Sequence, residues 1–412
     1  MTPIPATSLE DLATEAHAFF SARVPVRVRG GMTHGDGSDD IIGVGLDKGD
    51  SEEVEVEQAR EWQRALFDAG LAWVDGPTEF GGRGLSPEHA RLVDEIATGY
   101  AVPTPSCFMV SHEIVAPTIL VHGTLEQKEA YLSGIWRGDI VCCQLFSEPE
   151  AGSDLASLRT TARRDGDDWI VSGQKVWSSY AHVAQLGELL VRTGPPGSRH
   201  RGLSTFLIDM STPGIDVRPL RQVTGSEHFN EVFLDEVRIP DSARIGAVDS
   251  GWTIALTTMS NERSVLADEH NGIMIDPVLR LFALARASGA IDDPAVQDLL
   301  AECWAREQIL RTTGSRLGAD ETSPPGSVVK LMMTSDMQFY IEVANRLLGY
   351  RMIADTGEWG TFSWSQLLLS APSHRIAGGT DEIQKNIIAE RVLGLPRDVR
   401  PSAITEERHG SR

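Results

Sequence analysis

The stretch that decides the fold is Cys142–Ser179, CCQLFSEPEAGSDLASLRTTARRDGDDWIVSGQKVWSS. The apolar run Val141–Phe146 before the first charge has the length and composition of a strand. It breaks into Ser147-Glu148-Pro149-Glu150-Ala151-Gly152-Ser153-Asp154, a loop of turn formers and small side chains. Backbone N–H groups in such a loop can approach a flat or anionic ligand. Asp165-Gly166-Asp167 then separates two more strand-like runs, a hairpin signal. The second run ends at Lys175-Val176-Trp177-Ser178-Ser179. A tryptophan beside two hydroxyls has two readings there: a core side chain of the hairpin, or the cover of a planar aromatic cofactor.

Outward from this stretch, the hydrophobic period changes twice. Residues 1–140 read as a helical domain. Ser8 with Asp11 caps a first helix to about Arg23, with Leu12, Ala16, Phe19 and Phe20 on one side. Further helices are expected from Glu52 to Ala69 (stopped by Gly70), at Ser86–Tyr100, around Ile114–Val121 and at Leu125–Trp136. The Gly- and Asp-rich residues 25–53 read as a flexible insertion. From 141 to 247 the pattern is β, with strands expected at 141–146, 157–164, 168–176, 188–193, 203–208, 215–219 and 229–238. From 248 to 396 it is helical again, at 251–287, 293–318, 327–349 and 380–393, and 397–412 is a charged tail. The fold class is α+β multidomain.

Composition narrows the function. The chain has 412 residues, 41% hydrophobic and 23% charged, enough for several packed domains. A net charge of −22 argues against broad nucleic-acid binding, which needs a basic surface. No apolar run reaches the roughly 18 residues of a membrane span, and no signal peptide is evident, so a cytoplasmic location is expected. The four cysteines have no CxxC spacing and read as small buried residues, with Cys142 and Cys143 on opposite faces of one strand. The eleven histidines lack a metal motif such as HExxH, and no metal is expected.

Four separated segments, in this order, resemble the FAD-dependent acyl-CoA dehydrogenases: Leu145–Ser153 (LFSEPEAGS), Lys175–Ser179 (KVWSS), Phe229–Pro240 (FNEVFLDEVRIP) and Gly378–Arg391 (GGTDEIQKNIIAER). The resemblance implies an N-terminal helical domain, a central β-barrel or sandwich domain and a C-terminal four-helix bundle, with FAD between the last two. It implies flavin contacts at Gln144, Leu145, Ser147, Gly152, Ser153, Trp177 and Ser179, and from the bundle at Thr380 and Glu382. Arg286 and Gln297 would serve the FAD of a neighbouring subunit, although Arg286-Ala287-Ser288-Gly289 lacks the family's Phe-Gly after the arginine and Arg346–Tyr350 departs from its glycine-rich loop. Ser153, Ser260 and Arg263 would face the acyl-CoA. The partners implied are an electron-transfer flavoprotein and a second subunit, in a homodimer, a homotetramer or a hetero-oligomer.

The implied reaction removes an α-proton by a carboxylate while a hydride leaves the β-carbon. Many members of the family carry that carboxylate directly before the Gly-Thr of the last motif; here Gly378 stands in that place. A minority place it on a facing helix in a Glu-Arg pair, and Glu262-Arg263 matches that pattern. Glu262 is therefore the expected base, with apolar neighbours Leu256, Met259, Val265 and Leu266 expected around it, and the backbone N–H of Gly378 is an expected oxyanion donor. A plain surface Glu-Arg pair is the bland alternative. Two other functions stay open: a non-catalytic or half-active subunit of a mixed oligomer, and an oxidase on the same fold.

Overall fold

The computed structural model describes residues 7–26, 52–103, 106–195, 197–267, 277–318, 325–357 and 360–397. Most of the expected insertion at 25–53 and nearly all of the tail lie outside the described residues. The N-terminal layer comprises α1 (Leu9–Ser21), α2 (Glu52–Asp68), α3 (Pro87–Ala97), α4 (Ala116–His122) and α5 (Leu125–Arg137). Ser8 caps α1 by accepting the Asp11 N–H at 3.1 Å. Gly70 ends α2 with φ 68°, in the left-handed region that glycine enters without a Cβ penalty. A π-helical turn, Val110–Val115, leads into α4.

The central layer is an eight-stranded sheet: β1 (Cys142–Leu145), β2 (Thr161–Asp165), β3 (Asp168–Ser179), β4 (Leu186–Arg192), β5 (Leu203–Asp209), β6 (Ile215–Leu220), β7 (Phe229–Pro240) and the short β8 (Arg244–Ile245). The strand order is β6-β7-β3-β2-β4-β5-β8, and β1 pairs in parallel with β4. β2 and β3 form the expected hairpin, with Asp165 opposite Asp168 and Gly166 at φ 64°. Alternation sorts the side chains: Leu189, Val191, Phe206 and Ile208 share one core with Trp169 and Val171. Leu186 and Leu207 pack instead against the helical layer. Cys143 lies in the first core and Cys142 in the second, so the adjacent pair does straddle the strand.

The C-terminal layer departs from expectation in one place. Of the helix expected over 251–287, the described residues hold α6 (Gly251–Ala267) and α7 (Pro277–Ala287), and residues 268–276 lie outside them. Pro277 opens the second, where a missing N–H costs nothing. α8 (Pro294–Gly318) and α9 (Pro325–Leu348) follow as expected, and then an unforeseen α10 (Thr361–His374) precedes α11 (Asp381–Ile387). α10 carries Pro372 in its last turn and a weakly amphipathic sequence, which hid it. Its Trp364 and Leu367 share one core with Leu281, Leu300, Tyr340 and Leu347 of α7, α8 and α9. α6 packs on α9 but also against α4, the π turn, β4 and β5, so it joins all three layers.

Phe206 is fully buried and meets Trp169 edge-on with centroids 5.7 Å apart. Phe206→Ala is expected to cost about 3–5 kcal/mol, read as a lower midpoint of the first denaturant transition.

Candidate active site

The loop after β1 is built around a buried ion pair. Lys175 on β3 has no accessible surface, and its Nζ donates to Glu148 Oε1 at 2.8 Å and to the Phe146 carbonyl at 3.0 Å. Glu148 also accepts the N–H groups of Arg159 at 2.6 Å and Thr160 at 2.9 Å. One carboxylate therefore closes both ends of the loop. Burial raises the Glu148 carboxyl, but Lys175 and these donors outweigh it and hold it below the usual range. Burial pulls the Lys175 ammonium down to about 8, opposed by Glu148. Arg192 braces the loop from β4, donating to the carbonyls of Ala156 at 2.7 Å and Leu158 at 3.1 Å.

The Val176 N–H donates to the Ser147 carbonyl at 2.9 Å, which places the start of the loop beside the end of β3. There the β3–β7 register shifts between Lys175 and Ser178. Trp177 takes φ 62° at this bulge and turns its indole outward, 60% exposed, edge-on to Phe229. It is a surface ring and not a core side chain. Ser147 and Ser179 are half-buried beside it, while the Ser178 hydroxyl is buried with no partner. Gly152 and Ser153 are exposed, and a Cβ at Gly152 would meet nothing within 4 Å. Gln144 is half-buried; the Leu145 side chain lies in the sheet core, leaving only its backbone for a ligand. An outward ring flanked by hydroxyls and open loop backbone suits a planar heteroaromatic group with a polar tail.

α6 packs directly on this loop. Ala255, Trp252 and Met259 join Phe146, Ala151, Leu155 and Leu158 in one apolar cluster. Glu262, one turn beyond Thr258, is half-buried, and Ser260 is exposed. Of the apolar neighbours expected around Glu262, Met259 packs inward and Leu256 is exposed. The side chains of Arg263, Val265 and Leu266 lie outside the described residues.

The turn before α11 is held from within and by α9. Gly378 and Gly379 take φ 64° and 90°. Gln384 Nε2 donates to the Gly378 carbonyl at 2.7 Å, and Lys330 Nζ on α9 donates to that of Gly379 at 2.8 Å. Among the described residues the Gly378 N–H has no hydrogen-bond acceptor. Thr380 caps α11 by accepting the Ile383 N–H at 3.3 Å. Glu382 is exposed, and its bonds to its own N–H and to Thr380 lower its carboxyl, as a capping group. Asp381 is engaged by Arg375 Nε at 2.6 Å and Lys330 at 3.5 Å. Neither carboxylate is placed as a base.

Arg286 and Gln297 sit at the exposed α7–α8 connection, with Gln297 Nε2 donating to the Ile291 carbonyl at 3.0 Å. The structure brings together Gln144–Ser153, Trp177–Ser179 and α6, and it places Thr380 and Glu382 at the start of α11, which packs on α9. Sequence reasoning did not single out Lys175, Lys330 or Glu188. The lone Glu in the apolar run Leu186–Val191 was the available signal for Glu188.

Residues 46–139, 143–237 and 249–393 match the N-terminal, middle and C-terminal domains of acyl-CoA dehydrogenases in turn. Acyl-CoA dehydrogenase IpdE1 of Mycobacterium tuberculosis is 38% identical over 349 residues, covering 84% of this chain and 90% of that protein. The chain belongs to the acyl-CoA dehydrogenase family. Members are FAD-binding flavoproteins and oxidoreductases. The acyl-CoA dehydrogenase FadE34 of the same organism is 40% identical over 347 residues, 81% of this chain and 46% of that protein. Among solved structures, the Tcur3481-Tcur3483 steroid acyl-CoA dehydrogenase matches with a TM-score of 0.76 and 29% identity, over 97% of this chain and all of that one. The helical, β and helical layers of this acyl-CoA dehydrogenase are the family's three domains. Among the described residues, no helix is long and apolar enough to cross a membrane.

Lys175→Met leaves Glu148 buried without its cation, and is expected to cost about 3–5 kcal/mol in a denaturant melt. Adding Glu148→Gln should return part of that loss.

Proposed function

We propose that this acyl-CoA dehydrogenase catalyses α,β-dehydrogenation of an acyl-CoA thioester with Glu262 as the base. The observation that supports this reading is the packing of α6 on the loop Phe146–Leu158 through Ala255 and Met259, the helix that carries Glu262 one turn further on. Gly378 offers no carboxylate, and Asp381 and Glu382 are already engaged. Bound FAD supplies the hydride acceptor. Trp177 covers its ring, and Ser147 and Ser179 fix its orientation, with Gln144, Leu145, Gly152 and Ser153 completing the loop side and Thr380 and Glu382 the bundle side. Arg286 and Gln297 reach the FAD of a neighbouring subunit.

The α-proton is weakly acidic, so the thioester oxygen must be stabilised as charge develops on it. The Gly378 N–H, without an acceptor among the described residues and in a turn whose next two carbonyls are held by Gln384 and Lys330, is the donor for that oxygen. Glu262 takes the proton from the opposite side. Ser153, Ser260 and Arg263 contact the CoA-bearing substrate. A glycine at 378 puts no side chain in the way of a bulky acyl group, and one structural neighbour is a steroid acyl-CoA dehydrogenase. An electron-transfer flavoprotein then takes the electrons.

A second reading has support in the same neighbours, two of which are complexes of different chains. This chain would then be the partly active subunit of a hetero-oligomer. The exposed Tyr350, Ile353 and Leu393 offer apolar surface for such a partner.

The purified FAD-loaded chain, mixed anaerobically with acyl-CoAs from short straight to polycyclic, should bleach its flavin with the bulky members fastest. Glu262→Gln should slow bleaching by about 10²–10⁴-fold; an unchanged rate would remove the base assignment. No bleaching by any acyl-CoA, with FAD bound, would favour the partly active subunit. Trp177→Ala should weaken FAD retention on dialysis while leaving the thermal midpoint of the FAD-free protein unmoved, because its ring is exposed.

A further inference from the structure

Glu188 is a carboxylic acid where the fold has no evident need of one. It lies on β4 with no accessible surface, on the sheet face that looks toward the helices. On that face Leu186 precedes it in the cluster with the N-terminal helices, and Leu190 follows it in the cluster with α6. Its Oε1 accepts from Thr258 Oγ1 of α6 at 2.7 Å, and its Oε2 is buried without a partner among the described residues. Thr258 Oγ1 also lies 3.1 Å from Thr118 Oγ1 of α4. Asn261 Nδ2 reaches Thr118 Oγ1 and the Ile114 carbonyl, each at 3.4 Å. One side-chain cluster thus ties β4, α4 and the π turn to the turn of α6 directly before Glu262.

We propose that Glu188 is a positioning residue: acting as a neutral acid through Thr258, it fixes the rotation of α6 and so the direction in which Glu262 is presented. This rests on Glu262 being the base. Thr258 and Glu262 are four residues apart and share a helix face, so a rotation of one carries the other.

The neutral form suits the geometry. With its proton on Oε1, Glu188 donates to Thr258 Oγ1, and Thr258 is free to donate to the Ile254 carbonyl, 3.2 Å away. Thr118 donates to the Ile114 carbonyl at 2.8 Å. Every proton then has an acceptor. Once ionised, Glu188 must draw the Thr258 hydroxyl to itself, and it remains a dry charge with a single donor. Burial raises its carboxyl from an ordinary 4.5 to about 8, opposed by the Thr258 bond.

Among the described residues, the surroundings supply no counter-charge. On β1 stands the Cys142 thiol, which burial foremost, with Glu188 adding to it, pushes well above its ordinary value. On the π turn, His112 is stacked between Phe108 and Trp136 and bonded to the Ile135 carbonyl, and Glu113 is exposed. His122 of α4 meets Thr257 Oγ1 at 2.8 Å. Glu262 follows on α6, and Arg192 and the exposed Asp209 stand at the ends of β4 and β5.

The test uses the FAD-loaded enzyme and Glu188→Gln, Glu188→Leu, Thr258→Val and Glu262→Gln. Without substrate, the wild type should show an infrared carbonyl band of a buried protonated carboxyl at neutral pH. That band should fade as pH passes about 8 and be missing in Glu188→Gln. A folded-state proton that the unfolded chain releases near 4.5 makes stability fall as pH rises from there to about 8, and Glu188→Gln should flatten that slope. The anaerobic bleaching rate of the wild type should decline above about 8, a limb that Glu188→Gln abolishes. Glu188→Leu and Thr258→Val should lower kcat about tenfold with KM changed less than about twofold. Matching pH profiles in wild type and Glu188→Gln, or full kcat in Thr258→Val, would overturn the proposal, and both remain decisive where Glu188→Leu does not fold. A normal rate in Glu262→Gln would instead overturn the base assignment, while the carbonyl band and the stability slope report on Glu188 alone.

Discussion

A lysine ammonium with no access to water sits beneath the proposed cofactor loop, and its partner carboxylate is shared with two backbone N–H groups. Such a pair gains little net stability over apolar residues of the same volume, because both ions must be stripped of water. What it gives is geometry. Glu148 meets Lys175, Arg159 and Thr160 at once, so the chain between β1 and β2 can close in one way. The Trp177 bulge, two residues past Lys175 on the same strand, inherits that registration. So does α6, whose Ala255 and Met259 pack on the loop so fixed.

The domain order and the turns were legible because their signals are local. Hairpin chemistry at Asp165-Gly166-Asp167, the cap at Ser8 and the stop at Gly70 each act within a few residues, and the structure follows them. Trp177 was only half legible. Its composition allowed a core ring or a surface ring, and the choice was made by a register shift against β7, more than fifty residues away. The same limit applied to α10. Its burial comes from α7, α8 and α9 rather than from its own weak periodicity. Glu188 is the plainest case: a strand pattern reports that a side chain is buried, and only the fold shows that a threonine of α6 meets it.

α6 has an unusual load for one helix. It contacts the N-terminal layer through Thr257, Thr258 and Asn261, the sheet through the Thr258–Glu188 bond and the loop Phe146–Leu158 through Met259. A carboxylate carried there is placed by three domains at once. A carboxylate at position 378 would be placed by one turn, braced by Lys330 and Gln384. With the base on α6, as proposed, that turn would keep only its amide for the substrate, and the two tasks of taking a proton and holding an oxygen would fall to separate parts of the bundle.

β1 and β4 are parallel partners, Cys142 against Leu186 through Leu145 against Leu189, with the β2–β3 hairpin in the chain between them. The hairpin closes through a two-residue turn and can form early, whereas β1 must wait for β4 to arrive from more than forty residues on. The loop that follows β1 is therefore among the last parts of the β domain to take shape. The hairpin can therefore form without the loop, and a cofactor that binds only the folded chain stabilises it by mass action.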